Sequence, residues 1–435
     1  MWRALLLKDR DAALLYSNEK RLYAVLSFFF LALYVPGVSW LYNAGMWMLF
    51  VCSFFHNPLS EKISLLKRRP ALLLMIAFFL LNCVSALLSD NIEEGISWVG
   101  IRLSLLIFPL CIGSLYIRNL LKQRIILSFS AAVTVAAAGS LFWGVWRAVR
   151  QADFSLMYND NLSGVLNLQS VYFALLINLA IFGYTYLMMK KSLPVKNAVM
   201  LPVFLLLAVV HFLLASRVAI IFLYSSGIIF AACLAVKSGK SKQGMALVLG
   251  LLLGGLLLVK FFPKTINRFR ELGYTQFDFK SQAKESHFNV PVTASQWNGA
   301  NIRIAVWQCA WQVTQQHLLL GTGIGDKMDD LNKQYAKNGF TFGIRNTRNV
   351  HNNYLDIWMT MGLPGLLLLL AGFLVLPLYQ CIKSSDWYGM IIVLSFAFSM
   401  VPETYMDRTA GNTFLAFFLS FIASYKKPAG SQPAY

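Results

Sequence analysis

The sequence predicts an all-α polytopic membrane protein of about 12 transmembrane helices with one long helical loop on a single face, and three observations carry that reading. Its 435 residues are 57% hydrophobic and only 13% charged, where a soluble globular domain carries about 25% charge. Apolar stretches long enough to cross a bilayer recur along the chain. One long polar segment, residues 263–352, interrupts them, and because spans precede and follow it, it must cap one membrane face.

Hydropathy and helix breakers place the spans at about 22–35, 38–55, 70–88, 98–117, 125–147, 167–189, 197–215, 218–236, 243–262, 353–382, 386–402 and 409–424. The first two are short and joined by Pro36-Gly37, a pair suited to a tight hairpin turn. Residues 199–236 make an apolar run of 38 residues, about 57 Å of helix against a hydrocarbon core of about 30 Å, so the run predicts two helices. Ser216-Arg217, where that run admits a charge, marks the turn between them. The expected division is 1–262 with nine transmembrane helices, 263–352 as the loop, 353–425 with three more, and a short tail at 426–435.

With the N-terminus in the cytoplasm, the inward segments hold 21 Lys and Arg, against four in the short outward ones, Arg147, Arg150, Arg217 and Arg408. That asymmetry fixes the orientation, leaves both termini cytoplasmic, and turns the net charge of +19 into a topological signal, so nucleic acid is not an expected partner. The loop, with 11 Lys/Arg and 6 Asp/Glu, then faces outward together with an acidic turn at Asp90, Glu93 and Glu94. Charges throughout residues 1–21 predict insertion by the first membrane helices rather than by a cleavable signal peptide. Five of the six cysteines fall in or beside spans, leaving Cys309 alone in the loop, so no disulfide is expected there.

Sidedness gathers Arg217, Arg303, His351 and Glu403 at the outward surface. Asn301 reads as an N-cap, and Arg303, Trp307 and Trp311 then recur every four residues on one face of a helix lying along the outer leaflet. A plain snorkelling arginine would satisfy the same pattern. Arg217 is harder to explain that way, because it turns the chain where a small polar residue would cost less desolvation, on the side the positive-inside tendency disfavours. His351 opens the tenth span and can cap a helix, or accept a proton from an imidazole pKa near about 6.5. Glu403 is either a second base or a solvated loop carboxylate.

Gly321-Thr322-Gly323-Ile324-Gly325-Asp326 lacks dinucleotide-binding spacing and a preceding strand, and reads as a flexible turn. Asp329-Asp330 and Asn159-Asp160-Asn161 provide no Asp-x-Asp pair, and no His pair has zinc spacing, so neither metal nor cofactor is expected.

Ser216-Arg217, Arg303 with Trp307, Gly321-x-Gly323-x-Gly325 and His351-Asn352-x-Tyr354-Leu355 together resemble the O-antigen ligase and polymerase superfamily of bacterial envelope glycosyltransferases. The resemblance covers the second half of the chain well and the first half by topology alone. It implies a GT-C type fold in the bacterial inner membrane, with the loop and active site periplasmic. It also implies an undecaprenyl-pyrophosphate-linked glycan as donor, and lipid A core (ligase) or another glycan (polymerase) as acceptor, with membrane lipids around the chain. Arg217 and Arg303 are then expected to hold the pyrophosphate, His351 to act on the acceptor hydroxyl with inversion, and Trp307, Asn352, Tyr354 and Glu403 to contact substrate or support the site. A flippase or transporter is the rival from another class, disfavoured because no acidic residue stands at mid-depth in a span and the polar groups converge at one surface. A non-catalytic scaffold in a polysaccharide assembly complex is the third. Within the enzyme reading, twelve spans with a single loop of about 90 residues look more like a ligase than a polymerase.

Overall fold

A computed structural model describes residues 18–35, 39–193, 199–237, 239, 241–286 and 296–425. Among them the chain is an all-helical polytopic membrane protein, its one extended pairing an isolated bridge between Glu285 and Trp297. Each of the twelve expected spans overlaps helix, the fourth as two pieces, Ile92–Ile101 and Ser104–Cys111. Only seven of the described helices are long and apolar enough to cross a membrane. Met200–Leu213, Trp387–Ser399 and Thr409–Ser424 have 14, 13 and 16 residues, about 20–24 Å of helix, so their lengths alone do not make them spans. The Pro36-Gly37 turn and the tail from Pro428 lie outside the described residues.

One expected boundary moves and one expected span breaks, for reasons visible in the side chains. The fourth span opens at Ile92 because Asn91 caps it, its Oδ1 accepting the Glu94 amide at 3.2 Å. Glu93 and Glu94 therefore stand in the first helical turn, where negative charge suits the helix dipole, rather than in a loop. The tenth helix starts at Asn353 and breaks at Gly362, whose φ of 62° suits glycine. Pro364 lacks the amide that would bond the Thr360 carbonyl, and the Gly323 amide takes its place at 3.0 Å. Likewise the Thr322 amide bonds the Met359 carbonyl at 2.9 Å, and the Leu363 amide turns to the Leu318 carbonyl at 3.0 Å.

The glycine-rich turn thus acts as a splint for a broken helix. A Cβ on Gly321 would lie 2.4 Å from the Thr360 carbonyl oxygen, and one on Gly325 would lie 2.1 Å from that of Asn91. The expectation of a flexible turn is corrected: the glycines allow close packing against two membrane helices.

Two hydrophobic cores organise the molecule. The larger lies among the membrane helices and is rich in phenylalanine, with Phe417 meeting Phe30 and Phe108 edge-on. The smaller belongs to the cap, where Trp297, Tyr335 and Phe340 pack beneath the helix Asn301–Gln316. Met359 joins it from the broken helix, so cap and membrane body share apolar contacts.

Candidate active site

The turn at Ser216 and the start of the cap helix bring Arg217 and Arg303 together. Ala215 takes a left-handed φ of 50°, and the next helix opens at Arg217 itself. The Arg217 guanidinium pairs with Glu271 at 3.5 Å and donates to the Arg268 carbonyl at 2.9 Å. Arg303 donates from Nε to the Pro402 carbonyl at 3.0 Å, from Nη1 to the Gly299 carbonyl at 2.6 Å, and from Nη2 to Glu403. Gly299 separates the two guanidinium groups: a Cβ there would stand 2.9 Å from Nη2 of Arg217 and 3.4 Å from Nη1 of Arg303.

Asn298 holds that glycine in place. Its Oδ1 accepts the Ala300 and Asn301 amides at 2.8 and 3.1 Å, while Asn301 returns Oδ1 to the Asn298 amide at 2.7 Å. The helix is therefore capped reciprocally from Asn298, a correction to the expected N-cap at Asn301, which is itself fully buried. The opposite face, with Ile302, Val306 and Cys309, is buried in the cap core. Burial pushes the Cys309 thiol up to about 11, against the opposing Asn338 contact, consistent with an inert packing role.

Glu403 joins Arg303 to His351. One oxygen accepts from the guanidinium and the other lies 3.3 Å from His351 Nδ1. Burial opposes its ionisation, yet Arg303 and His351 hold the carboxyl down at about 2. His351 adopts a left-handed φ of 50°, and Trp307 Nε1 donates to its carbonyl at 3.3 Å. Glu403 is thus part of the site rather than a free loop carboxylate.

A third arginine completes the cluster. Arg268, on the short helix Pro263–Arg270, sends Nη1 to Asn159 Oδ1 at 2.9 Å and to the Ala215 carbonyl at 3.2 Å. Burial and the neighbouring Arg303 both push it below the ordinary arginine range. An anion placed among these groups relieves that repulsion.

Two cavities meet at this cluster and share Arg268, Gly299, Arg303 and Glu403. The larger, about 610 Å³, is walled by polar groups including Asn159, Asp160, Gln169, Lys264, Arg348 and His351. The smaller, about 280 Å³, reaches Arg217 and is walled by Val218, Ile221, Leu272, Ile304 and Trp307. One chamber suits a hydrated headgroup and the other an apolar chain, with cations on their common wall.

Asn352 and Tyr354 are directed elsewhere. Asn352 is the N-cap of the broken helix, its Oδ1 accepting the Leu355 amide at 3.0 Å, and Tyr354 donates to the Ala397 carbonyl at 2.7 Å. Neither lines the two cavities, and both secure the segment that presents His351.

Beneath the site lies a buried quartet that the sequence reading missed. Lys327 bonds Asp407 at 2.6 Å and Asp356 at 3.4 Å, Arg102 sits 3.6 and 3.8 Å from the same two carboxylates, and Lys327 lies 3.9 Å above the Trp98 ring. Against the cost of burial, Lys327 and Arg102 hold Asp407 below the usual carboxylate range. Asn349 ties this quartet to the site, donating to Asp407 at 3.0 Å and to Thr404 Oγ1 at 2.7 Å. It thereby joins the strand of chain that carries His351 to the one that carries Glu403.

Residues 202–370 match the family model described as O-antigen ligase. No curated protein matches the chain. Arg217, Arg268, Arg303 and His351 all lie in the matched stretch, whereas Glu403 completes the site from beyond it. The signals for Arg268 and Arg102 were present: Arg268 follows Lys264 by one helical turn just past a span, and Arg102 is an ionisable residue within an expected span.

Proposed function

We propose that the protein is an O-antigen ligase-type glycosyltransferase that moves a glycan from undecaprenyl pyrophosphate to a lipid A core acceptor at the periplasmic face of the bacterial inner membrane. The observation that carries this reading is the placing of Arg268 and Arg303 on the wall shared by a polar and an apolar cavity, with Arg217 beside them on the apolar side. A polyprenyl pyrophosphate has that same order of parts: an apolar chain, two phosphates and a sugar.

In this reading the bond between the sugar's anomeric carbon and the diphosphate oxygen breaks, and the charge left on the diphosphate is held by preorganised guanidinium groups. The acceptor oxygen attacks the opposite face of the anomeric carbon, which inverts it, and its proton passes to His351 Nε2. Glu403, held as a carboxylate at Nδ1, orients the ring and stabilises the imidazolium. The arginines supply the positive charge that a divalent cation provides in other transferases, so the reaction is metal-independent.

In vitro transfer from purified lipid-linked glycan tests the reading. A product on lipid A core with inverted configuration supports the ligase; glycan extended on the lipid carrier indicates a polymerase; a retained configuration contradicts the single displacement.

A further inference from the structure

The apex of the cap presents Leu318, Leu319 and Leu320 to the outside, the last two 70% and 83% exposed. Leu319 and Leu320 are the most exposed large hydrophobics of the cap among the described residues. We propose that this apex is seated in the acyl chains of the leaflet on the cap side, anchoring the cap to the membrane independently of what the active site binds.

The level of the apex along the membrane helices argues for lipid. The apex is bonded to the broken helix through the Leu318 carbonyl, which accepts the Leu363 amide at 3.0 Å and Trp358 Nε1 at 3.2 Å. The 22 residues 362–383 make about 33 Å of helix, close to the hydrocarbon thickness of about 30 Å, which puts the break at the hydrocarbon boundary. An adjoining span gives the same level. Helix Pro70–Leu87 is about 27 Å long, ends in exposed Leu87 and Leu88, and is joined to the turn after the apex by Ser89 Oγ, which accepts the Gly325 amide at 3.0 Å.

The flanking chemistry fits the same boundary. Trp311 and Trp358 meet edge-on with ring centroids 5.3 Å apart, Trp358 next to Leu318, and indoles favour the headgroup layer. Past the break, exposed Leu363 and Leu367 continue the apolar surface toward the bilayer interior. Irregular backbone is tolerated at this depth because the apex and the broken helix satisfy each other's amides and carbonyls.

Photo-crosslinking of the full chain in phosphatidylethanolamine and phosphatidylglycerol vesicles tests the proposal. Leu319→p-benzoylphenylalanine and Leu320→p-benzoylphenylalanine are compared with the same substitution at Lys333, an exposed position on the cap helix Lys327–Asn338. The expected result is an intact mass raised by one phospholipid at 319 and 320 and unchanged at 333. Absence of a lipid adduct at 319 and 320, or crosslinks there to a second copy of the chain in its place, overturns it.

Discussion

Arg217 and Arg303 face each other across Gly299, close enough that a single added methyl would stand 2.9 Å from one guanidinium and 3.4 Å from the other. Gly299→Ala is therefore expected to push the two apart while leaving the buried cap core intact. A misplacement of about 1 Å at a reacting centre costs about 100-fold in rate, which is the upper bound for the smaller shift that these flexible guanidinium ends need. Transfer kinetics of the purified variant check this, and a wild-type rate would show that the spacing does not matter.

Each charge-assisted contact to a diphosphate contributes about 1.5–3 kcal/mol, so Arg217→Ala and Arg268→Ala should each lower kcat/KM about 10- to 100-fold. Arg303→Ala should cost more, because it also removes the cation that holds Glu403. Lysine at either position restores charge but not the forked geometry, and should recover only part of the rate.

The Glu403 carboxyl is depressed from 4.5 to about 2. Its ion pairs thus contribute stability that is complete above the ordinary value of 4.5 and lost as pH falls through about 2. The difference in Tm between wild type and Glu403→Gln should be widest near neutral pH and should shrink steadily below 4.5. A difference that stays constant down to acid pH would contradict the pairing.

Asn349→Ala should separate positioning from binding. It cuts the link from Asp407 to Thr404, so kcat should fall while affinity for the polyprenyl pyrophosphate stays near wild type. Lys327→Met, in contrast, leaves Asp356 and Asp407 sharing one buried arginine and should destabilise the protein by about 3–5 kcal/mol. Equal loss of binding and turnover in Asn349→Ala would contradict the positioning role.

Much of the fold is legible in the sequence because the bilayer imposes a length and an apolar composition on whatever crosses it. The break at Gly362 was not read, although Gly362 and Pro364 signal it, because hydropathy is blind to which carbonyls lose their donors. In the site, topology alone could gather Arg217, Arg303, His351 and Glu403 on one face. It could not reveal that Gly299 spaces two guanidinium groups, or that Asn159 meets Arg268, since those contacts depend on how the cap folds back on the membrane helices. Asn352 and Tyr354 show the converse: residues beside a catalytic candidate in sequence can spend their polar atoms on a helix cap and a neighbouring carbonyl.

On the proposed function the arginines stand in for a divalent cation, and transfer should proceed at an unchanged rate after exhaustive chelation. Loss of activity that magnesium or manganese restores would contradict this.

The central claim is tested most directly by measuring the affinity of purified protein in nanodiscs for undecaprenyl pyrophosphate, for wild type, Arg217→Ala and Arg303→Ala. The arginine cluster predicts that each substitution weakens binding about tenfold or more. Affinity unchanged in both variants would contradict the claim that these side chains grip the diphosphate.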